Sequence, residues 1–375
     1  MSVEIREVKE KKELKQFVSF PNGLYKGNKY WIPQLKADEL KLFRKEENPA
    51  FEFCEAKLWL AYKNGKIAGR IAGIINHRFI EKWHDKFCRF GWIDFIDDAE
   101  VSQALLAAVE NWAQEKGMEA VHGPLGFTDL DPEGMLIEGF AELGTIATIY
   151  NYSYYPEHLS RLGFGKDVDW LEYEIKIPEK VPEKIIRIAE LILKKNKLHI
   201  LKAKNIKEIK PYFADIFNVL NSAYQDLYGF VPLSKRQIDN YIKQYISFAN
   251  PEYLSIILDE NDKVAAFGLT FPSLSTSFQK AKGNLLPFGF LHILKALKQK
   301  KLIDLYLMAV RPDLQSKGVN ALILSELISS YIRNKFEKAE SNPELESNTK
   351  VQVQWKFFDI RQHKKRRCFI KHLNP

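Results

Sequence analysis

The apolar positions between Leu302 and Leu327 predict a strand, a short loop and a helix in succession. Ile303 to Val310 is an apolar run of strand length, and Arg311-Pro312-Asp313 ends it, because proline lacks the N–H that a sheet requires. From Val319 onward, apolar residues recur at every third or fourth position, the period of a helix with one buried face. The stretch therefore predicts a strand that ends near Val310 and a helix that begins just after Gly318.

The first half of the chain shows the same mixture of periods. Apolar runs at Leu58–Tyr62 and Ile67–Ile75 flank Asn64-Gly65, a pair typical of a tight hairpin turn. Further along come a predicted strand at Phe90–Ile96 and a predicted helix at Val101–Glu115. These elements predict a sheet with helices packed on it.

The second half repeats this order. Tyr253–Leu258 and Lys263–Phe271 form a second predicted hairpin, and the helix that begins near Val319 corresponds to the one at Val101. We therefore predict two copies of one α/β (α+β) fold, each a mixed, twisted sheet flanked by helices. The predicted boundaries are residues 1–178 for the first copy, 179–197 for a linker with a helix, and 198–375 for the second copy.

The loop Gln315-Ser316-Lys317-Gly318-Val319-Asn320 is a candidate anion site. A polar loop before a helix leaves backbone N–H groups without partners, and the positive end of the helix dipole points at them. Lys317 adds a charge, and glycine lets the backbone approach a phosphate closely. An ordinary strand-to-helix turn would show the same pattern, so both interpretations stay open.

The run V-R-P-D-L-Q-S-K-G-V-N-A resembles the pyrophosphate loop of the GNAT N-acetyltransferase superfamily, whose pattern is Gln/Arg-x-x-Gly-x-Gly/Ala after a strand that ends in Val-x-Pro. Gln315 and Gly318 match this pattern, whereas Asn320 stands where a second small residue is usual. The two predicted copies are similar to a tandem GNAT arrangement, as in N-myristoyltransferases and Fem-type aminoacyltransferases.

This resemblance implies acetyl-CoA, or another acyl-CoA, as the cofactor. Met308 and Val310 would offer backbone N–H groups to the thioester and the pantetheine arm. The full implied set of cofactor-binding residues is Met308, Ala309, Val310, Gln315, Ser316, Lys317, Gly318, Val319, Asn320 and Asn348.

The first copy differs at the corresponding loop. Ile96-Asp97-Asp98-Ala99-Glu100 contains no glycine and carries three carboxylates where a pyrophosphate would lie. Because like charges repel, we expect this copy to have lost CoA binding and to form a wall of the substrate cleft.

Acyl transfer to an amine needs a base for the ammonium proton and an acid for the leaving thiolate. The family's base position corresponds to Asp304, and Glu340 is a further candidate. Asn348 and Trp355 fit the family's Asn-x-x-Ala-x-x-Leu-Tyr helix, with Trp355 at the tyrosine position, so the usual acid is absent. The alternation in V-Q-V-Q-W also allows a strand there.

Four tyrosines are candidate substrate-binding residues. Tyr152 and Tyr155 belong to a dense aromatic cluster at the end of the first copy, for which packing in a core is the alternative. The resemblance places Tyr224 and Tyr228 where GNAT enzymes bind their substrates.

Composition adds limits on partners and location. The three cysteines are scattered, so no disulfide framework or metal site is expected. No apolar run is long enough to span a bilayer, and the chain start has no signal region, so a soluble, cytoplasmic protein is expected. The net charge is +8, and His363-Lys364-Lys365-Arg366-Arg367 concentrates part of it. We expect a solvated strand or turn there rather than a nucleic-acid site.

The sequence thus predicts a CoA-dependent N-acyltransferase, acting on a small-molecule or peptide amine, with its active site in the second copy. Two alternatives stay open: a catalytically silent acyl-CoA-binding protein, which Trp355 and Asn320 favour, and Fem-like aminoacyl transfer. The acceptor, the length of the acyl chain and the oligomeric state are not indicated.

Overall fold

The computed structural model describes residues 2–245 and 249–373 and divides into two compact units. Unit 1 comprises Met1–Leu171, Leu274–Leu294 and His363–Pro375, and unit 2 comprises Glu172–Ser273 and Lys295–Gln362. This partition differs from the sequence-based boundaries chiefly in segments 274–294 and 363–375, which come late in the chain but join unit 1. Local patterns do not report which distant segment a strand pairs with.

Helices and strands are interspersed along the chain. Up to residue 176 they are β1 (Glu4–Glu7), α1 (Lys11–Leu24), α2 (Lys36–Leu42), β2 (Cys54–Lys63), β3 (Lys66–Asn76), α3 (His77–Trp83), β4 (Phe87–Phe95), α4 (Ala99–Glu115), β5 (Ala120–Gly123), β6 (Met135–Glu138), α5 (Tyr154–Arg161) and β7 (Gly165–Lys176). The remainder are α6 (Glu183–Lys195), β8 (His199–Ile200), α7 (Ile206–Ile209), α8 (Phe213–Tyr224), α9 (Lys235–Tyr245), β9 (Leu254–Leu258), β10 (Val264–Pro272), α10 (Ser275–Ala281), α11 (Gly289–Ala296), β11 (Leu302–Val310), α12 (Asn320–Arg333), β12 (Lys338–Ser341), β13 (Glu344–Leu345), α13 (Thr349–Gln352) and β14 (Ile360–His372).

Unit 1 has a mixed sheet in the order β1-β2-β3-β4-β5-β14. The predicted hairpin is present, with Asn64 and Gly65 both at positive φ in the turn between β2 and β3. Helix α4 connects the parallel strands β4 and β5 and buries one face on the sheet. Gly73 makes this packing close, because a Cβ there would lie 2.9 Å from the ring of Trp112.

Unit 2 repeats this plan with the end of β7 followed by β12, β11, β10, β9 and β8. The predicted strand and helix are present, since β11 ends at Val310 and α12 begins at Asn320. β11 and β12 are parallel and α12 connects them. Gly268 of β10 allows the close approach of α12, because a Cβ there would lie 2.5 Å from Ile323.

Both units carry an irregularity in the strand before the connecting helix. In unit 2 the pairing with β10 shifts so that Tyr306 is the extra residue of β11. In unit 1 the pairing with β3 shifts between Arg70 and Ala72, and Trp92 of β4 has a positive φ. Such bulges bend a strand and often lie beside functional sites.

The basic run near the C-terminus lies in β14, and it is not solvated as expected. Lys364 and Arg366 are buried, and Arg367 forms a bidentate pair with the fully buried Asp169 at 2.7 and 3.0 Å. Burial raises the pKa of Asp169, but hydrogen bonds from Arg367, Lys365 and Lys166 lower it to about 2. The run therefore stabilises unit 1 internally.

Among the described residues, no helix combines the length and apolar composition needed to cross a membrane.

Candidate active site

Within the described residues, the second half of β11 pairs with no strand on the side away from β10, and we call this side the open edge. Its parallel pairing with β12 ends at Leu305 and Ser341, next to the bulge at Tyr306. Side chains from three other segments then hydrogen-bond to successive carbonyl oxygens along this edge: Asn342 to Tyr306 at 2.7 Å, Tyr224 to Met308 at 3.0 Å and Gln315 to Val310 at 3.1 Å.

These bonds show which way the backbone points. The N–H and C=O of one strand residue lie on the same edge, and successive residues alternate. The N–H groups of Met308 and Val310 therefore face the open edge. Ala309 is the exception, because its backbone groups point to β10, where it pairs with Phe267.

The loop between β11 and α12 has several free donors. The backbone N–H groups of Ser316, Gly318 and Val319 have no acceptor within the described part of the chain. Ser316 and Gly318 have φ of 60° and 86°, which gives the loop its curvature. Lys317 is exposed beside them, and Asn320 is the first residue of α12. This arrangement can hold an anion such as a pyrophosphate.

Gly318 also has a packing role that the sequence did not predict. A Cβ on it would lie 3.2 Å from Ile188 of α6, so a side chain there would press on that helix. A substitution of Gly318 would therefore disturb packing as well as anion binding, and exposed Lys317 is the cleaner position to test.

Unit 1 fills the corresponding loop with its own carboxylate. Asp98 precedes α4 and accepts hydrogen bonds from the N–H groups of Glu100 and Val101 at 3.0 and 3.4 Å. Lys63 contacts both Asp98 and Glu100, at 2.5 and 3.0 Å. The donors that an anion would need are thus already occupied.

Unit 1 also fills the corresponding strand edge. Ile96 donates to Ala68 as Arg311 donates to Ala265, which makes Phe95 the counterpart of Val310. The N–H of Phe95 donates to the Tyr155 hydroxyl at 3.0 Å, and the Tyr154 hydroxyl donates to the Phe95 carbonyl at 2.6 Å.

Tyr155 and Tyr152 are packed inside unit 1, whereas the sequence led us to expect them in the lining of a substrate cleft. Tyr155 has no exposed surface and stacks on Phe95 with ring centroids 4.2 Å apart. Tyr152 donates to the Leu24 carbonyl at 3.3 Å and packs on Tyr25. The alternative of core packing describes both, because their hydroxyls are bound to groups inside unit 1.

The structure brings the two predicted acidic residues of unit 2 together. Asp304 and Glu340 are register partners on the parallel strands β11 and β12, and both are buried. Register partners on adjacent strands point to the same face. Glu340 also pairs with Glu174 of β7, so three carboxylates cross neighbouring strands in a row.

Glu344 is a further acidic residue, which the sequence-based choice missed. The indole Nε1 of Trp355 donates to both of its carboxylate oxygens, at 2.9 and 3.1 Å. Burial raises the pKa of Glu344 to about 7, and the bond from Trp355 opposes this rise. A carboxylate that titrates near neutral pH is suited to general-base work. A glutamate after a turn carries no sequence signal of burial.

Tyr224 links Glu344 to the open edge. Burial raises the pKa of Tyr224 to about 12, its bond to Met308 opposes the rise, and the nearby Glu344 carboxylate adds to it. Tyr224 ends α8, and Tyr228 lies partly buried in the loop that follows. Of the two predicted substrate residues in unit 2, Tyr224 thus directly contacts the predicted cofactor strand.

The segment after Asn348 is helical, so the strand alternative for V-Q-V-Q-W is wrong. Asn348 precedes α13, and a 3-10 turn at Val353–Phe357 continues it. Trp355 lies buried in this turn and donates a hydrogen bond to Glu344.

One group of possible metal ligands occurs in unit 1, where the sequence predicts none. Donor atoms of His122, Asp167 and Cys368 lie within 4.8 Å of one another. Burial lowers the pKa of His122, and the positive charge of Arg89 lowers it further. The positive charge of Arg89 would also repel a bound cation. We therefore interpret the group as an interaction between His122 and Asp167, whose Nδ1 and Oδ2 atoms lie 3.5 Å apart, rather than as a metal site.

No family model matches the chain. Among curated proteins, Protein YghO of Escherichia coli (strain K12) is 26% identical over 376 residues, which cover 98% of this chain and 95% of that protein. The bacterial ceramide synthase of Caulobacter vibrioides (strain NA1000 / CB15N) is 27% identical over 318 residues, covering 82% and 80%.

Two solved structures share the fold. A tandem GNAT protein from the clavulanic acid biosynthesis pathway has a TM-score of 0.55 at 8% identity and covers 100% of this chain and 99% of its own. A GCN5-related glucosamine N-acetyltransferase region of a fungal multi-domain GH3 β-N-acetylglucosaminidase also has a TM-score of 0.55, at 13% identity, covering 99% and 38%. At such identities the likeness concerns the fold, and this chain has the tandem GNAT fold predicted from its sequence.

Proposed function

We propose that this protein is an acyl-CoA-dependent N-acyltransferase whose cofactor site lies in unit 2. The observation that carries the proposal is the set of backbone N–H groups of Ser316, Gly318 and Val319, which have no acceptor among the described residues and lie in the loop that follows the open edge of β11. Donors of this kind suit a pyrophosphate. In unit 1 the equivalent donors are occupied by Asp98 and Tyr155, which supports one cofactor per chain.

The pyrophosphate and the pantetheine arm of CoA would each have a matching group in unit 2. The loop 315–320 would hold the pyrophosphate, with Lys317 as an exposed positive charge. The N–H groups of Met308 and Val310 would bind the pantetheine arm and orient the thioester carbonyl. CoA supplies the acyl group as an activated thioester.

Glu344 is the base that we propose in preference to Asp304 and Glu340. Its pKa of about 7 lets it accept a proton from an ammonium near neutral pH. The Tyr224 hydroxyl, whose raised pKa keeps it protonated, donates to the Met308 carbonyl at 3.0 Å and would protonate the leaving thiolate. This assignment supplies an acid in place of the tyrosine that Trp355 replaces.

The acceptor class is an amine, and a long-chain amine is the narrower candidate. The relative named a bacterial ceramide synthase supports it, because a ceramide is an N-acylated long-chain amine. Small-molecule and peptide amines remain the broader class. The second candidate function, a silent acyl-CoA-binding protein, is favoured by Asn320 in the cradle and by Trp355.

The test is an assay of the full chain with acetyl-CoA and longer acyl-CoAs against a panel of amines that includes long-chain amines, with detection of the released thiol. We expect turnover with at least one amine and a loss of about 10²–10⁴-fold in Glu344→Gln. Glu346→Gln, an exposed neighbour on the same segment, is the matched control and should retain activity. CoA binding without turnover on any amine would favour the silent protein.

A further inference from the structure

The chain exposes a cluster of large apolar side chains just before and within α11. Of the eleven exposed large hydrophobic residues in the described part of the chain, six lie between Leu285 and Leu294. Leu286 is 80% exposed and Phe288 is 70% exposed. The other four are Leu285, Phe290, Leu291 and Leu294. A patch of this density on a protein surface marks an interaction site.

Helix α11 is apolar on both of its faces. Ile293 and Ala296 are buried, whereas Phe290, Leu291 and Leu294 are exposed on the opposite side. A surface helix normally shows polar residues on its outer face. Contact with an apolar partner would therefore remove the outward face of α11 from water, which is energetically favourable.

The base of the segment is held in place within unit 1. Gln279 donates to the carbonyls of Lys29 and Trp31, at 2.9 Å in each case. The N–H of Lys36 donates to the Gly283 carbonyl at 3.0 Å. The exposed side chains thus project from an anchored segment.

The positive charge of this part of the chain indicates the kind of partner that the apolar patch would bind. From Lys263 to Ile303 the chain contains seven lysines and no aspartate or glutamate. Exposed lysines flank the apolar residues along the chain, Lys280 and Lys282 before them and Lys295, Lys298, Lys300 and Lys301 after them. Exposed Leu and Phe flanked by lysines match a bilayer surface with anionic headgroups, because the apolar side chains enter the acyl boundary and the lysines meet the phosphates.

We propose that the docking segment, residues 280–301, inserts its exposed apolar residues into the surface of an anionic phospholipid membrane. This docking is peripheral and independent of the proposed acyl transfer, since it rests on surface chemistry alone. A second copy of the chain is the competing occupant.

The test is flotation of the full chain with vesicles of equimolar phosphatidylglycerol and phosphatidylcholine, and with pure phosphatidylcholine vesicles, without CoA or an amine. We expect binding to the anionic vesicles and at least about tenfold weaker binding of a Leu286→Glu/Phe288→Glu variant, which loses apolar burial. Leu191→Glu on α6, at a position 61% exposed, is the matched control and should bind like the parent. Lys295→Gln/Lys298→Gln should weaken binding about tenfold or more, and Lys194→Gln/Lys195→Gln should not.

An environment-sensitive dye on Leu286→Cys should shift to the blue when the anionic vesicles are added, since the native cysteines are buried. Equal vesicle binding by the parent and the Leu286→Glu/Phe288→Glu variant would overturn the proposal. The proposal would also be overturned if the parent did not bind vesicles but formed a dimer, detected by light scattering, that the Leu286→Glu/Phe288→Glu variant did not form.

Discussion

The hydroxyl oxygen of Tyr155 accepts a hydrogen bond of 3.0 Å from the backbone N–H of Phe95. Phe95 ends β4 as Val310 ends β11. The backbone N–H of Phe95 is thus bound by the Tyr155 side chain of the same unit, whereas the corresponding N–H of Val310 in unit 2 faces the open edge. The two units share one fold, and they differ in whether their own side chains fill the edge and the loop that follows it.

Tyr155→Phe should destabilise the protein without creating a second cofactor site. The substitution keeps the ring but removes the acceptor for the buried Phe95 N–H, which costs about 1–3 kcal/mol. Urea denaturation measures this loss. Tyr30→Phe, a partly exposed tyrosine of the same unit, is the control, and an equal effect of the two substitutions would refute the role of Tyr155.

Glu344→Gln should change how stability depends on pH. The pKa of Glu344 in the folded chain, about 7, lies above its ordinary value of 4.5. The folded state therefore binds this proton more tightly, and the parent should lose roughly 3 kcal/mol of stability as pH rises from about 4.5 to 7. The variant should lack this part of the slope in denaturation curves recorded across that range. Identical slopes would show that Glu344 is not buried as described.

Trp355→Phe should move the pH profile of activity upward. Phenylalanine preserves the burial that raises the pKa of Glu344 but removes the hydrogen bond that opposes the rise. The rate should increase with pH through about 7 in the parent, and through a higher midpoint in the variant. An unchanged pH midpoint would show that Trp355 does not influence the pKa of the catalytic base. Trp83→Phe in unit 1 is the control.

Asp169→Asn should weaken unit 1, because it leaves Arg367 and Lys365 without their carboxylate. A loss of about 3 kcal/mol is expected, since the pair is buried on the aspartate side. The pKa of Asp169 is held at about 2, so this stabilisation is present above about 3.8 and disappears as pH falls toward 2. Acid titration followed by circular dichroism checks both statements. Glu157→Gln, at an exposed ion pair with Arg161, should have no measurable effect.

Local patterns predicted much of the fold. The Asn64-Gly65 turn, the strand before Arg311 and the helix after Gly318 depend on neighbours within a few residues, so periodicity reports them. The pairing of Arg367 within unit 1 depends on Asp169, about two hundred residues earlier. A run of basic residues looks the same in the sequence whether it is buried or solvated.

The candidate site likewise contains residues that local sequence predicted and residues that it did not. The loop around Lys317 was predictable because its donors belong to one short segment. Glu344 was not, because its pKa arises from burial and from Trp355 eleven residues later. The burial of Tyr155 likewise depends on the distant Phe95, Tyr25 and Asp94.

Isothermal titration of the full chain with CoA tests the central claim, that the loop 315–320 of unit 2 holds the cofactor. The full chain is needed because unit 1 includes the C-terminal residues from His363 onward. We expect one CoA per chain and about tenfold weaker binding by Lys317→Glu, which reverses a charge beside the free donors, whereas Lys335→Glu after the far end of α12 should bind like the parent. Two CoA molecules per chain, or equal affinities for the parent and a folded Lys317→Glu variant, would contradict the account.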